Sequence, residues 1–120
     1  MSTYWERKPE AVREAMARYR TTDKYKNTVR HNRYKRLYGI TLEEYNLLLK
    51  TQNYVCKICH CPETVISSSR NAVKYLAVDH CHDTGKIRGL LCDRCNHLLG
   101  LAKDSPTLLS SAISYLKEQK

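Results

Sequence analysis

Residues 77–96 read AVDHCHDTGKIRGLLCDRCN, and this stretch decides the fold. The apolar, β-branched run at 75–80 predicts a strand, and residues 83–86 (Asp-Thr-Gly-Lys) have the composition of a turn. Residues 87–91 predict a return strand, and a helix should then begin near Cys92 and end at Gly100. The stretch therefore predicts a β-hairpin followed directly by a helix.

Two Cys-x-x-Cys motifs flank this hairpin, and 32 residues separate Cys59 from Cys92. A two-residue spacing lets both thiolates of a pair face one ion. Four thiolates close a tetrahedral site and leave no position for a substrate. The spacing therefore predicts a structural zinc ion bound by Cys56, Cys59, Cys92 and Cys95.

Other donors near these motifs leave alternatives open. His60 and Cys61 directly follow the first motif and could compete for the same ion, although the spacing favours their lying outside it. Cys81 lies between two histidines, where a nucleophile or a ligand is conceivable; we expect a small buried residue in a strand. His97 is expected to be structural or exposed.

Three polar side chains should meet beside the hairpin. Asp79 and His80 close the first predicted strand, and Asn96 directly follows the fourth cysteine of the motifs. Because Asn96 lies four residues after Cys92, the two share nearly the same helix face. A zinc ion that fixes the start of the helix would thereby orient Asn96 toward Asp79.

The run LAVDHCHDTGKIRGLLCDRCN, preceded by YVCKIC, resembles the phage recombination endonuclease VII family, which belongs to the His-Me finger (HNH-like) nucleases. The lead-in YGITLEEYNLLLKTQ is also similar to small phage members, so the resemblance covers roughly residues 38–116. It implies an α+β fold, with a small zinc-stapled ββα-metal core and flanking N- and C-terminal helices.

The resemblance also implies an activity, namely single-metal hydrolysis of DNA phosphodiester bonds that leaves a 5′-phosphate. His80 would be the general base, and Asp79 with Asn96 would hold one Mg²⁺, with Mn²⁺ as an alternative ion. His82 would contact the phosphate or the ligand shell of the metal. Arg88 could clamp a phosphate or form a structural salt bridge.

The charge of the chain points to an anionic partner, with DNA the first candidate. The 120 residues carry 21 Lys and Arg against 12 Asp and Glu, a formal net charge of +9, and residues 1–38 hold +7 of it. Helical patterns at 8–20 and 24–38 predict a basic arm (1–38) ahead of a nuclease domain (39–120). The predicted DNA contacts of the arm are Arg18, Arg20, Lys24, Lys26, Arg30, Arg33, Lys35 and Arg36.

Tyrosines interleave with these basic residues, and they could stack on bases or cover sugars. The alternative is a solvated helical face whose tyrosines pack on the core. His31 in the same arm is expected to be solvated or to face a phosphate.

Further local signals predict the remaining elements. Thr41-Leu42-Glu43-Glu44 matches a capping box and predicts a helix over 42–52. Residues 54–59 predict a short strand that turns into the first motif, and residues 62–71 an exposed loop. Ser105 followed by Pro106 predicts the start of a last helix.

Composition also excludes several classes. No apolar run approaches the ~20 residues of a membrane span, and the N-terminus has no signal-peptide pattern. We therefore expect a protein of a reducing cytoplasm, and the family resemblance implies that this is the cytoplasm of a bacterium or of a bacterial host infected by a phage. There, six cysteines fit metal better than disulfides.

Three functions compete at this point. A catalytically silent zinc module that binds nucleic acid is the main alternative to the nuclease. A regulatory module that docks a protein partner is the third. The sequence leaves open whether a single subunit nicks DNA or a homodimer makes paired cuts.

Overall fold

The computed structural model describes residues 9–118. Within them, five helices and two antiparallel two-stranded sheets give an α+β fold, as predicted. The helices are α1 (Glu10–Arg20), α2 (Asp23–Tyr38), α3 (Leu42–Thr51), α4 (Asp93–Leu101) and α5 (Pro106–Glu118). The strands are β1 (Ile66–Ser67), β2 (Ala72–Val73), β3 (Ala77–His80) and β4 (Ile87–Leu91). Among the described residues, no helix has both the length and the apolar character needed to cross a membrane.

The chain divides into two compact units. The first ends at Asn46 and the second begins at Leu47, so the division falls inside α3. The predicted domain boundary after residue 38 stays a prediction.

Local signals set the helix ends of the first unit, as the sequence predicted. Gly39 ends α2 in the left-handed conformation, with φ of 72°, which glycine adopts without a steric cost. The predicted capping box begins α3: the Thr41 hydroxyl accepts from the Glu44 N–H at 3.0 Å, and the Glu44 carboxylate accepts from the Thr41 N–H at 3.3 Å. These reciprocal bonds satisfy donors that the first turn leaves free.

Aromatic packing joins α2 to the start of α3 within the first unit. Tyr34 is buried and stacks on Tyr45, with ring centroids 4.6 Å apart. The Arg30 guanidinium lies 5.5 Å from the Tyr34 centroid and 5.3 Å from that of Tyr45. The expectation for His31 was wrong, because its half-buried ring accepts the Leu42 N–H at 3.2 Å and so caps α3.

The second unit departs from the sequence predictions before β3. The strand predicted at 54–59 does not form, because Asn53 and Tyr54 have φ of 56° and 63°, which turns the chain at that point. The loop predicted at 62–71 contains β1, which pairs with β2 to form a small hairpin.

The predicted hairpin of β3 and β4 does form, and it carries the core of the second unit. Val78 pairs with Leu90, and both are buried. Asp79 pairs with Gly89 and His80 with Ile87, so the register skips Arg88. Such a β-bulge redirects the side chain of the skipped residue. Helix α4 contacts both strands.

The outer edge of β4 is held by groups from the preceding segment. The Gln52 side-chain amide donates to the Leu90 carbonyl at 2.9 Å and accepts the Leu90 N–H at 2.9 Å. The backbone N–H of Lys57 also donates to the Leu90 carbonyl, at 3.1 Å. These bonds tie the first Cys-x-x-Cys motif to the hairpin.

Candidate metal centre and active site

The four cysteines of the two motifs converge on one point. Their sulfur atoms all lie within 4.8 Å of one another, and the sulfurs of Cys59 and Cys92 are 3.8 Å apart. A zinc ion at 2.3 Å from four sulfurs requires sulfur–sulfur distances of about 3.8 Å. All six cysteines are free thiols, as expected for a metal site rather than a disulfide framework. The cluster Cys56, Cys59, Cys92 and Cys95 can therefore hold a metal ion, and its donors and spacing are consistent with zinc.

The neighbouring donors lie outside this cluster among the described residues. Cys61 is exposed, and its carbonyl accepts the Cys56 N–H at 3.0 Å, which closes the loop of the first motif. His60 is exposed as well, with a left-handed φ of 59°. The expectation of a buried strand residue at Cys81 was wrong, because Cys81 is half-buried and follows the end of β3.

The four thiols do not share one ionisation behaviour in the absence of metal. The Cys61 N–H, together with the other thiols, lowers the pKa of Cys59 to about 6. Burial, together with the neighbouring sulfurs, raises the pKa of Cys95 to about 12, and burial also raises the pKa of Cys92. Burial raises the pKa of Cys56 too, but backbone N–H groups outweigh it and the net shift is downward. Some of these thiols therefore carry protons that a metal ion must displace.

The start of α4 is fixed by a residue that sequence reasoning missed. Cys92 is the N-cap residue of α4, but its side chain makes no capping hydrogen bond. The Glu63 carboxylate instead accepts the Asp93 N–H at 2.7 Å, and Lys74 forms a 3.2 Å ion pair with Asp93. A carboxylate at a helix N-terminus is favoured by the helix dipole. No local pattern reveals this cap, because 30 residues separate Glu63 from Asp93.

The predicted catalytic residues lie at the end of β3 and in α4, and their meeting at one site stays a prediction. Asp79 and His80 are the last two residues of β3, and both are half-buried. Asn96 is the fourth residue of α4 and is exposed, and its N–H donates to the Cys92 carbonyl at 2.9 Å. Because α4 contacts β3, the cysteine cluster and the Asp79-His80 pair are supported by the same helix.

Arg88 makes the strongest ionic contact of this region. Its Nε and Nη2 donate to the two oxygens of Asp79 at 2.8 Å and 2.9 Å, a bidentate pair. The Asp79 carboxylate raises the pKa of the Arg88 guanidinium above its ordinary value. Of the two roles left open for Arg88, the structure shows the salt bridge, and the phosphate contact stays a prediction.

A second carboxylate, which sequence reasoning did not single out, lies on the other side of Arg88. Asp104 Oδ2 is 3.4 Å from Arg88 Nη2 and 3.7 Å from Nε2 of His82. The rings of His82 and His80 are 5.0 Å apart in an edge-on arrangement. His97 is exposed, as expected, and its Nδ1 lies 2.8 Å from the Asp93 carbonyl.

The predicted DNA contacts of the arm differ in exposure. Arg30 is half-buried against the rings of Tyr34 and Tyr45, and a phosphate contact of Arg30 stays a prediction. The exposed members are Arg18, Arg20, Lys24, Lys26, Arg33, Lys35 and Arg36.

Comparison with known proteins gives a family match. A family model described as recombination endonuclease VII matches residues 31–118. Gene 59 protein of Mycobacterium phage D29 is 43% identical over 82 residues, which are 68% of this chain and 46% of the phage protein. Gene 59 protein of Mycobacterium phage L5 is 41% identical over 80 residues, which are 66% and 44% of the respective chains. The chain thus spans about half the length of the curated relatives it matches. No solved structure matches it significantly.

Proposed function

Because the chain belongs to the recombination endonuclease VII family, we propose that it cuts DNA with a divalent metal ion and His80 as general base. One observation supports this most directly. Asp79 and His80 are the last two residues of β3, a strand that contacts α4, and α4 carries Asn96 and Cys95 and has Cys92 as its N-cap residue. A metal ion on the cysteine cluster would order α4 beside β3. This arrangement can bring together two metal ligands, Asp79 and Asn96, and a proton acceptor, His80.

The side chains offer two chemically different metal sites. Four thiolates suit zinc and leave no open position, so we propose a structural role for that ion. Asp79 and Asn96 offer carboxylate and amide oxygens, which Mg²⁺ and Mn²⁺ prefer. The Asp79 carboxylate is paired with the Arg88 guanidinium, which a divalent ion would have to displace.

Each side chain of the proposed site would then have a separate role in hydrolysis. A divalent ion on Asp79 and Asn96 would offset charge on the scissile phosphate and on the leaving 3′ oxygen, so that a 5′-phosphate remains. His80 would take a proton from the attacking water at a ring nitrogen, since imidazole is the usual base near neutral pH. His82, 5.0 Å from His80 between ring centroids, would bind the phosphate or the metal's ligand shell.

The exposed basic residues of α1 and α2 would supply affinity for the DNA backbone. Contacts of Lys and Arg to phosphates position a protein on DNA without choosing a sequence. Lys24, Lys26 and Arg33 are exposed and suited to this role.

One observation favours a second candidate, the zinc module that binds nucleic acid without cutting it. Arg88 occupies both oxygens of Asp79, the carboxylate that would hold the divalent ion. If that pair never opens, the site cannot bind metal. The two candidates differ in cleavage and agree in DNA binding.

The test is cleavage of supercoiled plasmid with Mg²⁺ or Mn²⁺ by the parent chain, His80→Ala and His97→Ala. His97 is a matched control, because it is an exposed histidine on α4 outside the proposed site. We expect the parent and His97→Ala to cut equally, and His80→Ala to be slower by roughly 10²–10⁴-fold, the usual contribution of a general base. Nicked circular product would indicate a cut in one strand. Linear product formed without prior nicking would indicate paired cuts, as expected of a homodimer.

Zinc content and DNA affinity should be equal in all three proteins, which separates catalysis from folding. Cleavage by His80→Ala at the parent rate would exclude His80 as the base. Equal binding without cleavage by any of the three, on supercoiled, linear and branched DNA, would favour the silent module.

A further inference from the structure

Asp104 contacts residues of the proposed site but is not among the site residues that the sequence predicted. It lies between α4 and α5, and its side chain is 26% exposed. Its Oδ2 is 3.4 Å from Arg88 Nη2 and 3.7 Å from His82 Nε2. One carboxylate thus contacts both residues that would bind phosphate.

The backbone after α4 fixes the place of this carboxylate. Lys103 and Asp104 have φ of 53° and 55°, a region that residues other than glycine rarely adopt. The Asp104 N–H donates to the Leu99 carbonyl at 2.9 Å, and the Lys103 N–H donates to Gly100 at 3.1 Å. The turn is therefore held by the last residues of α4, the helix that the cysteine cluster orients.

Arg88 lies between two carboxylates that it contacts unequally. Its contacts to Asp79 are 2.8 Å and 2.9 Å, whereas its contact to Asp104 is 3.4 Å. The same nitrogen, Nη2, reaches both carboxylates. A small rotation of the guanidinium would therefore exchange one acceptor for the other.

We infer that Asp104 is a positioning residue, which keeps Arg88 and His82 at the site once Asp79 ligates a divalent ion. The inference rests on the proposed function. A cation on Asp79 competes with Arg88 for the same oxygens, and a guanidinium without a second acceptor would move into solvent. Asp104 supplies that acceptor, so Arg88 stays beside the position of the scissile phosphate.

The test follows the Arg88 side-chain N–H by NMR during a Mg²⁺ titration of the zinc-loaded full chain. In the parent, the Arg88 Nε–H signal should shift and stay protected from solvent exchange, because Asp104 takes over the guanidinium. In Asp104→Asn, the signal should be lost to fast exchange as Mg²⁺ is added. Asp104→Glu should restore the protection.

Asp83→Asn is the matched control, because Asp83 is an exposed carboxylate on the β3–β4 turn beside His82. It should behave as the parent. Asp104→Asn should lower kcat about tenfold with KM within about twofold, the size expected for one charge-assisted hydrogen bond. In an Arg88→Gln background, Asp104→Asn should lower kcat by less than it does in the parent. Only the contact of Asp104 with His82 is then left to lose.

The outcomes separate this inference from the proposed function. If Mg²⁺ moves no signal of Arg88 or Asp79 in the parent, the proposed metal site fails. If Mg²⁺ shifts these signals identically in the parent and in Asp104→Asn, the role of Asp104 is overturned while the metal site stands. If Asp83→Asn loses the protection of the Arg88 Nε–H to the same extent, the loss comes from the change in net charge. That result would also overturn the role of Asp104.

Discussion

Replacing Cys95 by serine should remove the zinc and unfold the second unit of the chain. Among its described residues, the buried core of that unit includes three cysteines of the cluster but only four large aliphatic side chains, Leu76, Val78, Leu90 and Leu91. Burying four such side chains contributes roughly 6–12 kcal/mol. A structural zinc contributes about 10–16 kcal/mol near neutral pH. Because whole domains are stable by only about 5–15 kcal/mol, we expect the second unit to unfold when the proposed zinc ion is lost.

The assay combines zinc content with hydrogen exchange of the peptides that contain β3 and β4. We expect about one zinc per parent chain and none in Cys95→Ser, with protection of both strands lost in the variant. Cys61→Ser is the matched control, since Cys61 is an exposed thiol outside the cluster, and it should retain both zinc and protection. Protected β3 and β4 in a zinc-free Cys95→Ser protein would refute the reasoning, because the apolar core would then suffice.

Three further predictions concern the metal, the cap of α4 and the arm. Zinc affinity should fall as pH falls from about 8 to about 6. Thiols such as Cys95, whose pKa is raised to about 12, must lose a proton to bind zinc, and protons compete more strongly at lower pH. Competition with a chromogenic chelator measures this zinc affinity. Glu63→Ala should destabilise the zinc-loaded chain by about 1–2 kcal/mol in urea, because the half-buried Asp93 N–H loses its capping acceptor, and Glu118→Ala should have no effect. Neutralising Lys24, Lys26 and Arg33 to Gln should reduce the salt slope of DNA binding by up to about 0.9 per lost phosphate contact, and an unchanged slope would contradict a DNA-binding arm. The charge-matched control neutralises Lys50, Lys103 and Lys117.

The features predicted correctly depend on residues close together in sequence. The capping box needs only Thr41 and Glu44, three residues apart, and Gly39 ends α2 through its own backbone. The cysteine cluster is nonlocal, but each half has a two-residue spacing, and two such motifs in one short chain are typical of a shared metal ion. The β-hairpin with its following helix and the metal cluster were therefore predictable from short patterns, whereas the fold class followed from the family resemblance.

The features that the sequence did not predict are contacts between residues far apart in the chain. The Glu63 cap of Asp93 and the Asp104 contact to Arg88 join residues 30 and 16 positions apart, and neither has a spacing rule. The strand predicted at 54–59 failed for a different reason. Its β-prone composition was overridden by left-handed backbone at Asn53, a residue type that adopts this region more readily than most, and at Tyr54, for which it is rare.

The pairing of Gln52 with β4 has a consequence for self-association. A two-stranded sheet has two open edges, and unpaired backbone groups there can template another chain into an intermolecular sheet. The Gln52 amide occupies both the N–H and the carbonyl of Leu90, the groups that an incoming strand would need. Together with the Lys57 N–H, this side chain takes the place of a third strand at Leu90, so β4 is a poor template for an intermolecular sheet there.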